Sequence, residues 1–218
     1  MTRQLTIACG DYDRTHALVD GTVKPEGLEL NWFDLPHLEI WTRMLNFYDF
    51  DASEMSLASY VIAKTLNKPL TGIPLFPGRA FRHSYIFINT KSGIREPGDL
   101  MGKRVGLGEF QQTATVWVRR ILQHEYGIDL SKIKWYTWTA KSRMEMALPK
   151  RYEVRKLEPG IAADQLLMRG DLDAVICTSL FPSFAQGRRT LDGYSRITRT
   201  WRRPISKIQG FSPSCTRW

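Results

Sequence analysis

The sequence predicts an α/β protein with mostly parallel sheets flanked by helices, arranged as two lobes and followed by a basic tail. Three observations lead there. Short apolar or alternating runs recur along the chain, as strands do. Stretches of helical periodicity fall between them, so strand and helix alternate, which is the pattern of parallel sheets covered on their faces. Turn signals separate the elements: Lys24-Pro25-Glu26-Gly27, Pro77-Gly78, Glu96-Pro97-Gly98-Asp99 and Pro159-Gly160.

Taken in order, strands are expected over residues 5–8, 28–33, 85–88, 104–107, 134–138 and 174–177. A first helix follows from the spacing of Leu38, Trp41, Met44, Leu45 and Tyr48, and a second from Ala58, Val61, Ile62 and Leu66. The clearest helix sets Ala114, Trp117, Val118, Ile121 and Leu122 on one face and Arg119, Arg120, Gln123 and His124 on the other. Gly127 is its natural C-terminal stop, and a short helix over residues 162–168 stops at Gly170. The lobe boundary is expected near Asn89, giving part of lobe I at 1–88, lobe II at 89–186 and a tail at 187–218 expected to be poorly ordered.

Composition bounds the function classes. A chain of 218 residues that is 43% hydrophobic and 24% charged buries an ample core and has the balance of a soluble globular protein. No run is apolar enough to span a bilayer, so no membrane is expected as a partner. The opening MTRQLTIACGDYDRTH lacks the apolar stretch of a secretory leader, which makes the cytoplasm the expected location. Cys9, Cys177 and Cys215 are widely spaced and odd in number, against a disulfide framework or a zinc cluster. Cys9 and Cys177 lie in apolar runs and read as buried thiols; Trp32, Trp41, Trp117, Trp135 and Trp138 read as core. No metal-ligand spacing, nucleotide fingerprint or hydrolase elbow occurs, so no metal or cofactor is expected. Of the net charge of +9, the tail from Gly187 carries +7. The charge therefore describes an appendage, and no specific nucleic-acid partner is expected from it.

Ligands of such sheets bind at the carboxyl ends of strands, where loops lead into helices. Three loops qualify: CGDYDR at 9–14, ASEMSLAS at 52–59, with Ser53 and Ser56 as helix-cap candidates, and GEFQQTAT at 108–115.

Four blocks resemble the 4,5-dihydroxyphthalate decarboxylase family: CGDYDRTHALVDGTVKPEGLELNWFDL, FDASEMSLASYVIA, the long run from PLFPGRAFRHSYIFINTKSGIREPGDLMGKRVGLGEF to GIDLSKIKWYT, and LLMRGDLDAVIC. The similarity runs in register from Leu5 to about Gln186. It implies a type 2 periplasmic-binding-protein-like fold. It also implies loss of CO2 from 4,5-dihydroxyphthalate to give protocatechuate, in bacterial phthalate breakdown, without a cofactor. The end, GYSRITRTWRRPISKIQGFSPSCTRW, departs from the family. Codons suited to it, read one base out of frame, can spell FPDYADVEAAYFKDTGIFPIMHTV, which resembles the family's return to lobe I. The expectation is a frameshift near Gly187, a truncated chain and an incomplete first lobe with exposed apolar surface.

A small aromatic carboxylate as ligand gives the candidate residues their roles. Arg79, Arg82 and His83 precede a strand; guanidinium forks suit the two carboxylates, and His83 is the leading proton donor to the ring carbon that loses CO2. The same arginines also read as surface charges or salt bridges. His16, His37 and His124 are weaker candidates. Asp11 and Asp13 are candidates for contact with the catechol hydroxyls or for proton transfer, and Arg14 for substrate contact; an Asp13–Arg14 pair is the plainer alternative. Glu54 and Ser56 read either as ligand contacts or as a capping arrangement. Glu109, Gln111, Thr113 and Thr115, at the start of the helix, suit a carboxylate or plain helix capping. Two other functions stay open: a non-catalytic solute-binding protein on the same fold, and nucleic-acid binding through the tail. An oligomer is compatible with the sequence.

Overall fold

A computed structural model of the chain describes residues 2–78, 80, 82, 85–139, 144, 147–158, 160–178 and, as backbone, 194–196. The chain forms two compact units. The first runs to residue 80 and takes in Met144; the second begins at residue 81. The boundary expected near Asn89 falls at the end of a strand that lies wholly in the second unit.

In the first unit, β1 (Arg3–Ala8), β2 (Leu28–Phe33) and β3 (Ala52–Ser53) form a parallel sheet in the order β2-β1-β3. Between them run α1 (His16–Val19), α2 (His37–Phe47) and α3 (Leu57–Thr65). Of the stripe read from Leu38 to Tyr48, Leu45 is buried while Leu38 and Tyr48 are exposed; Ile40, outside that stripe, is buried, and Tyr48 closes α2 in the left-handed region at φ 55°. Leu45, Ile62, Ala63, Leu70 and Met144 make one core cluster, and Ala8, Ile40 and Phe50 another. Leu38, Phe47, Leu57, Val61, Ile73, Leu75 and Phe76 are exposed.

The second unit carries β4 (Ile86–Asn89), β5 (Arg104–Leu107), β6 (Lys134–Thr137), β7 (Val154–Lys156), β8 (Ala174–Ile176) and β9 (Tyr194–Arg196). Their order is β7-β6-β5-β8-β4-β9. All neighbours are parallel except β4, which runs antiparallel to both β8 and β9. Strand β9 lies inside the basic tail, and these three residues pair with β4. The rest of the tail lies outside the described residues.

Helices α4 (Thr113–Tyr126) and α5 (Ala163–Arg169) end on Gly127 and Gly170, both in the left-handed region that glycine adopts without a Cβ penalty. Trp135 is fully buried among Leu107, Val118, Leu122 and Ile133, and its indole N–H donates to the Leu130 carbonyl at 3.0 Å. On α4 the buried stripe is Ala114, Thr115, Val118 and Leu122. Trp117 falls off its centre and is 45% exposed, which corrects its reading as core. Arg119 departs from its expected solvated face. Its guanidinium lies 3.6 Å over the Phe110 ring and donates to the Phe110 carbonyl, and burial pushes its pKa down to about 10.

Candidate functional site

Parallel strands deliver their carboxyl ends to one edge of a sheet, and in the first unit three of them deliver polar side chains there. The ladder continues past the strands: Cys9 N–H donates to Phe33 O at 3.2 Å, and Glu54 N–H to Ala8 O at 2.9 Å. These bonds fix the loop after β1 beside the residues that follow β2 and β3. The loop after β1 turns at Gly10 under Thr15, whose buried hydroxyl donates to the Gly10 carbonyl at 3.0 Å, and so presents Tyr12. The chain after β2 enters α2 through Pro36, which places His37 at the first helical position. Glu54 is the residue immediately after β3.

These three side chains meet. The Tyr12 hydroxyl donates to Glu54 Oε2 at 2.7 Å, and His37 Nε2 lies 2.8 Å from the Tyr12 oxygen. His37 Nε2 is also 2.9 Å from Glu54 Oε1, within ion-pair range but out of hydrogen-bond alignment, so Oε1 accepts no hydrogen bond among the described residues. The Glu54 side chain is 7% exposed and that of His37 is 53% exposed. The imidazole is stacked between Tyr12 and Trp41, at centroid distances of 6.2 and 5.7 Å. Gly10 permits the close approach: a Cβ there would lie 3.3 Å from the Tyr12 ring and 3.4 Å from His37 Nε2.

Electrostatics set the protonation of the cluster. Burial, then the charge of Glu54 and a 3.8 Å contact with it, push the Cys9 thiol up to about 12, so it is no nucleophile at neutral pH. Burial and the bond to Glu54 also raise the Tyr12 phenol, which therefore stays a donor.

The expected residues of this unit divide. Glu54 stands at the centre of the cluster. Ser56 occupies the N-cap position of α3, buried, yet makes no side-chain cap bond. Asp13 pairs with Arg14 at 2.8 Å, and that partner lowers its pKa. The Arg14 guanidinium also donates to the Pro77 carbonyl and lies 5.3 Å from the Tyr12 ring centroid. Asp11 is exposed and bonds His16 Nδ1 at 3.0 Å, which raises the His16 pKa. The pairing of Asp13 with Arg14 is thus the plainer of the two alternatives read from the sequence.

In the second unit, Glu109 follows β5 and is buried, and Gln111 and Thr113 are half-buried at the entry to α4. Thr115 is fully buried; its hydroxyl lies 2.9 Å from Glu109 O and 2.8 Å from Gln112 O, closing the loop. That bonding is of the helix-entry kind, one of the two alternatives read from the sequence. Arg82 stacks on Tyr85 at 4.9 Å. Arg79 and His83 lie outside the described residues. Among the described residues, no three His, Cys, Asp or Glu side chains are grouped to hold a metal, and no helix is long and apolar enough to cross a membrane.

Tyr12 is not among the candidates read from the sequence, and His37 is one of the weaker ones. The available signal was positional: His37 opens a helix directly after a strand, at the carboxyl edge where ligands bind.

Two solved structures carry the same architecture. The alkanesulfonate-binding protein SsuA of Xanthomonas axonopodis pv. citri aligns over 89% of this chain and 60% of its own, with a TM-score of 0.54 and 16% identity. The periplasmic aliphatic sulphonate binding protein SsuA of Escherichia coli aligns over 90% and 60%, with a TM-score of 0.56 and 16% identity. The fold is the type 2 periplasmic-binding-protein-like fold, as the resemblance implies. No family model matches the chain.

Sequence relatives narrow the class. A Pseudomonas putida protein named 4,5-dihydroxyphthalate decarboxylase is 34% identical over 98% of this chain and 85% of its own length. A Comamonas testosteroni protein of the same name is 37% identical over 79% of this chain, and there the match covers 54% of that protein. The chain belongs to the 4,5-dihydroxyphthalate decarboxylase family. The Pseudomonas match runs on into the basic tail, where a departure from the family was expected.

Proposed function

We propose that the protein removes one carboxylate from 4,5-dihydroxyphthalate as CO2, leaving protocatechuate. The observation that carries this is the family relationship across nearly the whole chain, to a relative named for that reaction. The first unit's chemistry supports it. A buried carboxylate, a phenol and an imidazole, together at the carboxyl edge of the sheet, offer both acceptors for catechol hydroxyls and a group able to move a proton. The substrate's carboxylates call for cationic or N–H donors, and in the first unit we assign that part to Arg14.

Removing CO2 from an electron-rich ring needs a proton at the carbon that loses it. The bond-breaking electron pair then returns to the ring, so no redox partner is required. The test is direct. Incubation of the full chain with 4,5-dihydroxyphthalate is expected to give CO2 and protocatechuate in equal amounts, read by gas evolution and chromatography. Saturable binding with neither product would instead identify a solute-binding protein, and would refute the decarboxylase.

A further inference from the structure

The hydrogen-bond bookkeeping around His37 identifies one free atom. Tyr12 has a single hydroxyl proton, and Glu54 Oε2 at 2.7 Å is an acceptor that takes it. The Tyr12 oxygen must then accept from His37 Nε2, 2.8 Å away, so Nε2 carries a proton. That leaves Nδ1 as the ring nitrogen with no partner among the described residues. The ring stacks with Tyr12 and with Trp41, each within 20° of coplanarity. Its inner edge is held by a carboxylate that is more than nine-tenths buried and has one oxygen accepting no hydrogen bond. A buried carboxylate is stabilised by a facing cation, and His37 is the side chain within ion-pair range of it, among the described residues, that can carry a positive charge.

We propose that His37 Nδ1 is the proton-transfer atom of a binding site for hydroxylated aromatic acids in the first unit, with Tyr12 and Glu54 as positioning residues. The identity of the reaction rests on the decarboxylase reading above; the site itself does not. In that reaction, the imidazolium gives its Nδ1 proton to the ring carbon bearing the departing carboxylate. The C–C bond breaks, its electron pair restores the aromatic ring, CO2 leaves, and the neutral imidazole regains a proton from water. Tyr12 and Glu54 fix which nitrogen faces the ligand and balance the charge that His37 carries before transfer.

Two measurements test this. Nitrogen-15 NMR of histidine-labelled full chain, with His37 assigned by loss of its signals in His37→Gln, is expected to show a protonated Nε2. On titration with protocatechuate, a probe that cannot be decarboxylated to the same product again, the Nδ1 resonance is expected to move. An Nδ1 unchanged up to 10 mM probe, roughly the weakest binding a specific site would show, overturns the proposal. Kinetics give the second readout: His37→Gln is expected to lower kcat by about 10²- to 10⁴-fold with KM within about threefold. Tyr12→Phe, which keeps the ring stack, is expected to lower kcat by about tenfold and to change the Nε2 signal. Wild-type kcat in His37→Gln overturns the proposal. A wild-type protein that fails to turn over 4,5-dihydroxyphthalate but still moves its Nδ1 signal sinks the decarboxylase reading alone.

Discussion

Burial of Cys9 limits how the first unit tolerates alkali. Its thiol is raised from an ordinary 9.0 to about 12 in the folded protein, by burial first and then by Glu54. A raised pKa means that the folded state holds its proton while the unfolded chain has already lost it. This contribution to stability is therefore complete below pH 9.0 and lost as pH climbs toward about 12. Tyr12 is raised as well and acts in the same direction. Urea midpoints are expected to fall steadily between pH 8 and pH 10.5, and less steeply in Cys9→Ala; equal slopes for the two proteins would argue against the assignment. Little of this was legible beforehand. Cys9 in an apolar run reads as buried, but its neighbourhood to Glu54 comes from β1 pairing with β3. No local pattern encodes that pairing.

At the scale of elements, Asp173 joins three pieces of the second unit. It accepts from the Arg104 main-chain N–H at 2.8 Å and from the guanidinium at 2.9 and 3.1 Å, while Arg104 Nη2 donates to Gly170 O at 2.6 Å. The start of β5, the approach to β8 and the end of α5 are thus tied by one ion pair. Burial works to raise the Asp173 pKa, but the bonds from Arg104 outweigh it and hold the carboxyl below its usual value. Asp173→Ala is expected to cost about 1–3 kcal/mol, read from urea unfolding at pH 7. The difference should shrink in acid, as Asp173 takes up its proton; a loss below 0.5 kcal/mol, within the scatter of ordinary surface substitutions, would mean that the tie is not carrying these elements. Legibility varied for physical reasons. β2 and β5 match their expected bounds because continuous side-chain patterns mark them. β3 has two residues and β7 exposes two of its three, so neither leaves an apolar pattern to read. For Thr115 two alternatives stay open in the sequence, because a threonine at a helix start looks the same whether its hydroxyl faces a ligand or the preceding loop.

For the whole molecule, the alternation of strand and helix was enough to fix the class, since parallel strands need intervening helices to return the chain. The site was less accessible. Glu54 is a candidate through its loop, by the rule that carboxyl ends of strands bind ligands. Tyr12 and His37 are joined to it only through tertiary contacts; of the favoured residues before β4, Arg82 stacks on Tyr85, while His83, like Arg79, lies outside the described residues. Strand β4 also sets an order of events on the ribosome. Its partners are residues 174–176 and 194–196, both far downstream. As the chain emerges, β4 must therefore wait for most of the second unit to be synthesised before either of its edges is paired. Closing so long a loop is slow, and an apolar IFIN strand waiting unpaired is a natural substrate for chaperones or for aggregation. A chain stopped at residue 173 is expected to expose β4 to protease and to lose cooperative unfolding of the second unit. Protection of β4 in that shortened chain would show that it finds another partner. Residues near the end of the chain thus decide when its middle can fold.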